Sequence, residues 1–318
     1  MSGAPLSYLG SAGSKAHQVV PLTWFALIVS TATCLIFAAL IVAAVRRGRA
    51  EGDVVAAQAV IRGGNGLRWI FVPLILAAVP IAVMLVWTMI AIARTGVPPA
   101  HPALVLDVTP QQFWWRIRYR GALPSDTFTT ANEIHIPVGA KVLVRLNSPD
   151  VIHSFWVPSL SGKTDAIPGQ NNVTWLEASR PGRFRGQCAE FCGAEHARMG
   201  FEVVAQSPAD FEAWRRAQLR AASPPVSAEQ VRGLAIVEYR CSLCHSVRGT
   251  IAGAGSAPDL THLMSRATLA AAQLPNNPGS LRGWIEDPQA RKPGTQMPNQ
   301  HLDAAQLNDL TAYLGTLK

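Results

Sequence analysis

The chain has 318 residues, 49% of them hydrophobic and only 15% charged, with a formal net charge of +8. Its length allows two ordinary domains. The charge is no case for a nucleic-acid partner: residues 1–94 hold seven Lys/Arg against two acids, residues 95–225 hold 13 against 11, and residues 226–318 hold eight against seven, so the excess sits in the apolar N-terminal part.

Residues 1–21 scatter Gly, Ser and Pro without periodicity and read as a loose segment. Leu22–Val45 and Trp69–Ala93 contain no charged residue. Each exceeds the roughly 20 apolar residues that cross a bilayer core as a helix, and both are longer than the roughly 7–15-residue apolar stretch of a secretion signal. Residues 22–95 therefore predict a transmembrane helix hairpin. Arg46, Arg47, Arg49, Arg62 and Arg68 fall between the spans, and the positive-inside rule makes that loop cytoplasmic, with both termini on the outer face. Cys34, inside the first span, reads as a small buried apolar residue.

From about 103 to 205, short runs rich in Val, Ile and aromatics (103–108, 112–119, 133–138, 141–146, 172–178, 201–205) alternate with turn residues. This pattern predicts an all-β sandwich or small barrel. Ser207-Pro208 opens a helix, with Ser as N-cap and Pro in the first position. SPPVS at 223–227 breaks it and reads as a linker between a domain at 97–222 and one at 223–318. Ser227 starts a further helix through Val237, with Gln230 placed for a capping box. Asp303 to Leu317 predicts a last helix with Leu307, Leu310 and Leu314 on one face.

Two clusters carry chemistry. His153 and then Cys188, Cys192, His196 and Met199 offer two imidazoles, two thiols and a thioether, soft and borderline ligands suited to copper. A Cys2His2 zinc site would use the first four but leave Met199 unexplained. Two cysteines four apart could also bridge two coppers, so that one electron is shared. Downstream, Cys241-Ser-Leu-Cys244-His245 is the C-x-x-C-H pattern of covalent c-type haem attachment, with His245 as proximal iron ligand. Met297, in the Pro/Gly-flanked K-P-G-T-Q-M-P loop, is the candidate second axial ligand, and Met264, His262 and His301 compete with it.

The runs SRPGRFRGQCAEFCGAEHARM (179–199), SPDVIHSFWV (148–157) and GKTDAIPG (162–169), with the helix hairpin, resemble subunit II of cytochrome c oxidases over roughly residues 20–215. The resemblance implies a cupredoxin sandwich in which His153, Cys188, Cys192, His196 and Met199 bind a binuclear copper centre (CuA), completed by the backbone carbonyl of Glu190. It also implies that the Glu190 carboxylate shares a magnesium ion with subunit I. Residues 257–261, 284–288 and 292–298 resemble class I cytochrome c domains, especially those fused to oxidase subunit II. Phe113-Trp114-Trp115 matches the family's electron-transfer aromatic stretch, although the first position is usually Trp. Three adjacent aromatics would also simply pack both faces of a strand. Gly66 stands where many members have a Glu at the mouth of a proton channel.

The expectation is thus an electron relay on the outer face of a bacterial inner membrane. A cytochrome or similar donor would feed haem c, then CuA, then the oxygen-reducing site of subunit I, with subunit III alongside and no catalytic residue in this chain. The rivals are the input subunit of a copper-bearing nitric-oxide reductase, a membrane-anchored electron carrier, and, more weakly, a copper-delivery protein.

Overall fold

The computed structural model describes residues 6–46 and 66–318. Of the five basic residues expected to mark the cytoplasmic loop, Arg47, Arg49 and Arg62 lie outside the described residues. The chain divides into two compact units, residues 17–97 and residues 98–318 with the N-terminal segment to Ala16.

The first unit is a helix hairpin, built from helix α1 (Ser14–Arg46) and helix α2 (Gly66–Thr95). Both are long and apolar enough to cross a membrane. Their large side chains point outward rather than into a protein core, as expected where lipid is the solvent. Phe25 and Trp87 meet across the pair with ring centroids 6.0 Å apart. Cys34 lies on the outer helix surface, correcting the expectation of a buried residue: a span whose solvent is lipid has no need to bury its small apolar groups.

The N-terminal segment is not loose in its second half. Helix α1 starts at Ser14, well before Leu22, and Ala12 and Ala16 are buried. The Ala12 amide donates to the Ser159 carbonyl and the Ser179 amide to the Ala12 carbonyl, both at 2.8 Å. Composition misleads here because Gly13 is a packing residue: a Cβ on it would lie 2.4 Å from the Glu177 carbonyl oxygen.

In the second unit two five-stranded sheets face one another. The first has the order β3 (Phe128–Ala131), β2 (Trp114–Tyr119), β1 (Leu104–Gln111), β5 (Val142–Leu146), β8 (Asn172–Leu176); the second has the order β4 (Glu133–Pro137), β10 (Gly200–Gln206), β9 (Gly182–Cys188), β6 (His153–Trp156), β7 (Thr164–Ala166). Side chains alternate across each strand. In β2 this buries Trp115, Ile117 and Tyr119 and turns Trp114, Arg116 and Arg118 outward. Trp115 anchors the core, with ring centroids 4.8 Å from Phe201 and 5.9 Å from Phe155.

Helix α3 (Pro208–Gln218) closes this domain, capped by Ser207, whose hydroxyl accepts from the Asp210 amide at 3.1 Å. After the irregular stretch before Ser227 come helix α4 (Ala228–Ile236) and a π-helical turn, Val237–Cys241. Ser227 caps α4 through the Gln230 amide, but the Gln230 side chain reaches the Val226 amide rather than closing a box on Ser227. Then follow a two-residue-strand hairpin (β11, Thr268–Leu269; β12, Leu274–Pro275), α5 (Pro278–Glu286), α6 (Pro288–Arg291) and α7 (Ala304–Leu314). Leu307, Leu310 and Leu314 are buried on one face of α7, which ends at Leu314 rather than Leu317. Helices α4 and α7 cross closely because Gly233 has no side chain; a Cβ there would lie 2.1 Å from the Asp309 carbonyl oxygen.

Candidate metal and haem centres

Strands β9 and β10 pair antiparallel, with Gly200 opposite Gln187. The connection from Ala189 to Met199 must therefore fold back over their ends. Gly193 makes this turn at φ 126°, packed so closely that a Cβ would come within 3.1 Å of the Phe113 ring. Strand β6 pairs with the other side of β9, Phe155 opposite Cys188, and so brings His153 to the same place.

Six donors converge. Cys188 Sγ lies 3.8 Å from Cys192 Sγ, 3.9 Å from His153 Nδ1 and 3.2 Å from the Glu190 carbonyl oxygen. Cys192 Sγ lies 3.6 Å from His196 Nδ1 and 3.8 Å from Met199 Sδ. The two cysteines are free thiols, well beyond the roughly 2.05 Å of a disulfide bond. Hydrogen bonds from Cys192 and His153 pull the Cys188 thiol toward thiolate, and the neighbouring sulfur in turn pushes Cys192 up. Two sulfurs sharing one proton in a buried site are poised to exchange it for metal, because the thiolate is the ligand form. Four donors satisfy structural zinc. Five soft and borderline donors and one carbonyl oxygen around two adjacent sulfurs suit copper better, and can hold more than one ion.

The ring of His153 is oriented from behind. Its Nε2–H donates to Asp150 Oδ1 at 2.8 Å, which leaves Nδ1, beside Cys188, as the nitrogen that a metal would take in place of a proton. Burial would lower the His153 pKa, but bonding to Cys188 and Asp150 outweighs it and raises it. Asp150 is itself held by the amides of Gln112 at 2.8 Å and Val151 at 2.7 Å. Asp150 escaped the sequence reading, though its place three residues before His153 was the available signal. The Glu190 carboxylate is half-exposed and takes a hydrogen bond from Lys163 Nζ at 3.3 Å.

In the C-terminal domain a cavity of about 380 Å³ is lined by Cys241, Cys244, His245 and Met297. The π-helical turn presents Cys241, and the amides of Cys244 and His245 both return to the Cys241 carbonyl, at 3.0 and 2.9 Å. His245 Nδ1–H donates to the Pro258 carbonyl at 2.7 Å, leaving Nε2 as the nitrogen available to a metal. Burial lowers the His245 pKa and pushes the Cys241 thiol up to about 11. The competitors of Met297 lie elsewhere. Met264 packs against the domain core. Both ring nitrogens of His262 are engaged, with the carbonyls of Lys318 at 2.7 Å and Arg220 at 3.0 Å, and His301 is exposed and off the cavity wall. Gln289 Nε2 donates to the carbonyls of Thr295 and Met297 and so fixes the Met297 loop. Arg266, buried on the cavity wall, has an Nε with no partner, a vacancy that suits a carboxylate on the cofactor.

The aromatic stretch is divided between the two centres. Phe113 and Trp114 line the haem cavity from the copper domain, whereas Trp115 is in the sandwich core, its ring centroid 6.4 Å from that of His153. Gln112 also lines the cavity, and its Nε2 donates to the Cys192 carbonyl at 2.6 Å.

Residues 111–207 match the family described as "Cytochrome C oxidase subunit II, periplasmic domain", and residues 230–318 match "Cytochrome c". The "Cytochrome c oxidase subunit 2" of Alkalihalophilus pseudofirmus is 33% identical over 297 residues, covering 92% of this chain and 84% of the relative. Those of Bacillus sp. (strain PS3) and Bacillus subtilis are 31% and 27% identical, covering 86% and 97% of this chain and 80% and 90% of their own. The sandwich that gathers the copper donors and the helical domain that carries C-x-x-C-H are the two matched regions, and the similarity runs along most of these relatives' length: the chain belongs to the cytochrome c oxidase subunit 2 family, in a form with a C-terminal cytochrome c domain and a membrane-anchoring helix hairpin.

Proposed function

We propose that this subunit passes electrons from an external cytochrome or similar carrier, through a covalent haem c and a binuclear CuA centre, to the haem–copper site of subunit I, where oxygen is reduced to water. The observation that carries this reading is the shared wall between the two centres, where Gln112 faces the haem cavity and donates to the carbonyl of Cys192. When bound, haem c supplies a one-electron iron couple and the copper pair a one-electron couple spread over two ions.

Cys241 and Cys244 would hold the haem by thioethers, His245 and Met297 its iron, and Arg266 a carboxylate side arm. His153, Cys188, Cys192, His196, Met199 and the Glu190 carbonyl would hold two coppers. Burial of His153, Cys188, Cys192 and Met199 excludes water around them and limits reorganisation as charge passes. The exposed Glu190 carboxylate would be a hard oxygen ligand for a magnesium ion shared with subunit I, once Lys163 yields it. Subunit III completes the complex. Both termini and both redox domains face the outer side of the bacterial inner membrane, because the basic loop between the spans remains cytoplasmic. Gly66 supplies no carboxyl for proton uptake, so that route is either absent from this complex or uses another group.

Metal analysis and electron paramagnetic resonance of the full-length chain in detergent test this. The expected content is two coppers in a shared-valence state and one covalent haem per chain. One copper, or zinc in its place, overturns the binuclear assignment.

A further inference from the structure

The cytochrome domain meets the copper domain through more than a tether. Lys292, five residues before Met297, has a side chain only 2% exposed. Its Nζ donates to the carbonyls of Phe113 at 2.7 Å and Arg198 at 2.9 Å, both in the copper domain, and to Ala270 at 3.4 Å in its own. An ammonium has three donors and accepts nothing, and here every donor is spent on a backbone carbonyl. Burial pushes its pKa down to about 8, against the pull of Glu195 and Cys192 and alongside the push of Arg198. Three carbonyl acceptors around one nitrogen match the three donors of the ammonium, one more than a neutral amine has.

A second feature converges on the same surface. Ala270, Ala271 and Ala272, at the tip of the β11–β12 hairpin, have φ of 53°, 60° and 62°. That left-handed region is unfavourable for any residue with a Cβ, and three in a row persist only where surrounding structure holds them. The turn aims successive carbonyls at the interface. Ala270 accepts from Lys292, Ala271 from the Gly200 amide at 3.1 Å, and Ala272 from Arg185 Nη1 at 3.4 Å. Gly200 directly follows Met199, Arg198 directly precedes it, and the Phe113 ring packs on the Gly193 turn. The haem domain is thus fastened to the backbone that shapes the copper site.

We propose that Lys292 is the pin that docks the cytochrome domain, its ammonium tying the Met297 loop to the Phe113 and Arg198 carbonyls so that haem and copper keep one separation. The functional consequence rests on the relay reading above, but the docking itself does not, and each is read separately. Lys292 is a positioning residue. Its partners are carbonyl dipoles rather than carboxylates, so the contact needs no opposite-charge surface and persists at high salt.

The test uses the assembled oxidase. Pulsed paramagnetic resonance between oxidised haem c and CuA should give one narrow distance in the wild type and a broadened distribution in Lys292→Met, with covalent haem and both optical spectra retained. Hydrogen exchange at the Gly200 amide should rise in the variant, and haem-to-copper transfer should slow by about tenfold, since small misplacements weigh heavily on positioned reactions. Lys292→Arg, which keeps the charge, should recover part of the narrow distribution. Acylation of the wild type with an amine reagent, followed by peptide mapping, needs no variant: exposed Lys318 should be modified and Lys292 protected. An unchanged distance distribution and Gly200 exchange in Lys292→Met, or Lys292 labelled as readily as Lys318, overturns the proposal. Docking signatures intact in a wild type with no haem-to-copper transfer would instead refute the relay and leave the pin standing.

Discussion

The two centres of this subunit are built on opposite plans. At the copper site the backbone does the assembly: three neighbouring strands bring Cys188, Cys192, His153 and Met199 into contact inside a sandwich core that includes Trp115, Phe155 and Phe201. At the haem site short helices surround a cavity of about 380 Å³, and a modest set of residues, including Val237, Leu281, Ile285 and Leu310, makes up the core around it. A small domain whose centre is a cavity needs its cofactor to bury enough apolar surface, whereas the sandwich does not. The lesson is that one chain can carry both a site waiting for its metal and a domain waiting for its prosthetic group.

Removing each cofactor in turn gives the largest effect. Cys241→Ala with Cys244→Ala should take haem content from one per chain to none and abolish the thermal transition of the cytochrome domain, while the copper spectrum survives. Cys188→Ser should abolish the shared-valence spectrum, keep the haem, and cost the sandwich only about 1–3 kcal/mol for a poorly satisfied buried hydroxyl. Calorimetry with both spectra would settle this, and loss of both centres in either variant would mean that the two plans are one folding unit.

A smaller effect separates ligand from packing within the haem domain. Met297→Ala should leave haem covalently attached, lower its reduction potential and admit external ligands to the iron. Met264→Ala, partly buried against the core cluster, should instead destabilise the domain by about 0.5–3 kcal/mol with the potential nearly unchanged. Potentiometric titration with an added exogenous ligand distinguishes them, and an exchange of the two phenotypes would move the axial ligand to Met264.

The sequence disclosed the donors better than the scaffold that aims them. The ligand types stood out because Cys, His and Met fell close together. Strands rich in Val and Ile, such as 142–146, were also legible. Strands 153–156 and 182–188 were not, although they place His153 and Cys188. GRFRGQC reads as polar because its outward positions are Arg and Gln, and Gly186 leaves the inward face to Phe201. Asp150, Arg266 and Lys292 escaped for another reason. Each is an ordinary charged residue until tertiary contacts bury it or pair it, and a lysine in a Pro/Gly loop is usually solvated. The docked state of the cytochrome domain was equally hidden, since it depends on carbonyls that every residue possesses.

The last difference between the regions is their response to acid. Glu133, at the start of β4, is 5% exposed and sits where the copper domain meets the cytochrome domain. His135 Nε2–H donates to its Oε1 at 2.8 Å, Arg183 Nη2 to its Oε2 at 2.7 Å, and the Ala267 amide of the cytochrome domain to Oε2 at 3.1 Å. Burial alone would raise the Glu133 pKa, but the bond and charge of His135, the Arg183 guanidinium and the Ala267 amide outweigh it and hold it at about 2, below the ordinary 4.5. A carboxyl depressed by folding contributes stability that is fully present above its unfolded pKa and lost as pH falls through the folded one. The window is therefore from 4.5 down to about 2, and the contribution is about 3 kcal/mol. Thioether bonds do not titrate, so acid should loosen the contact at Ala267 while covalent haem stays in place. Denaturant titrations of the full-length chain across that window should show stability falling with pH, and Glu133→Gln should be less stable at pH 7 and nearly flat over the same range. Parallel pH profiles for the two proteins would mean that the carboxylate carries none of this stability and that the Ala267 contact is held by its neighbours alone.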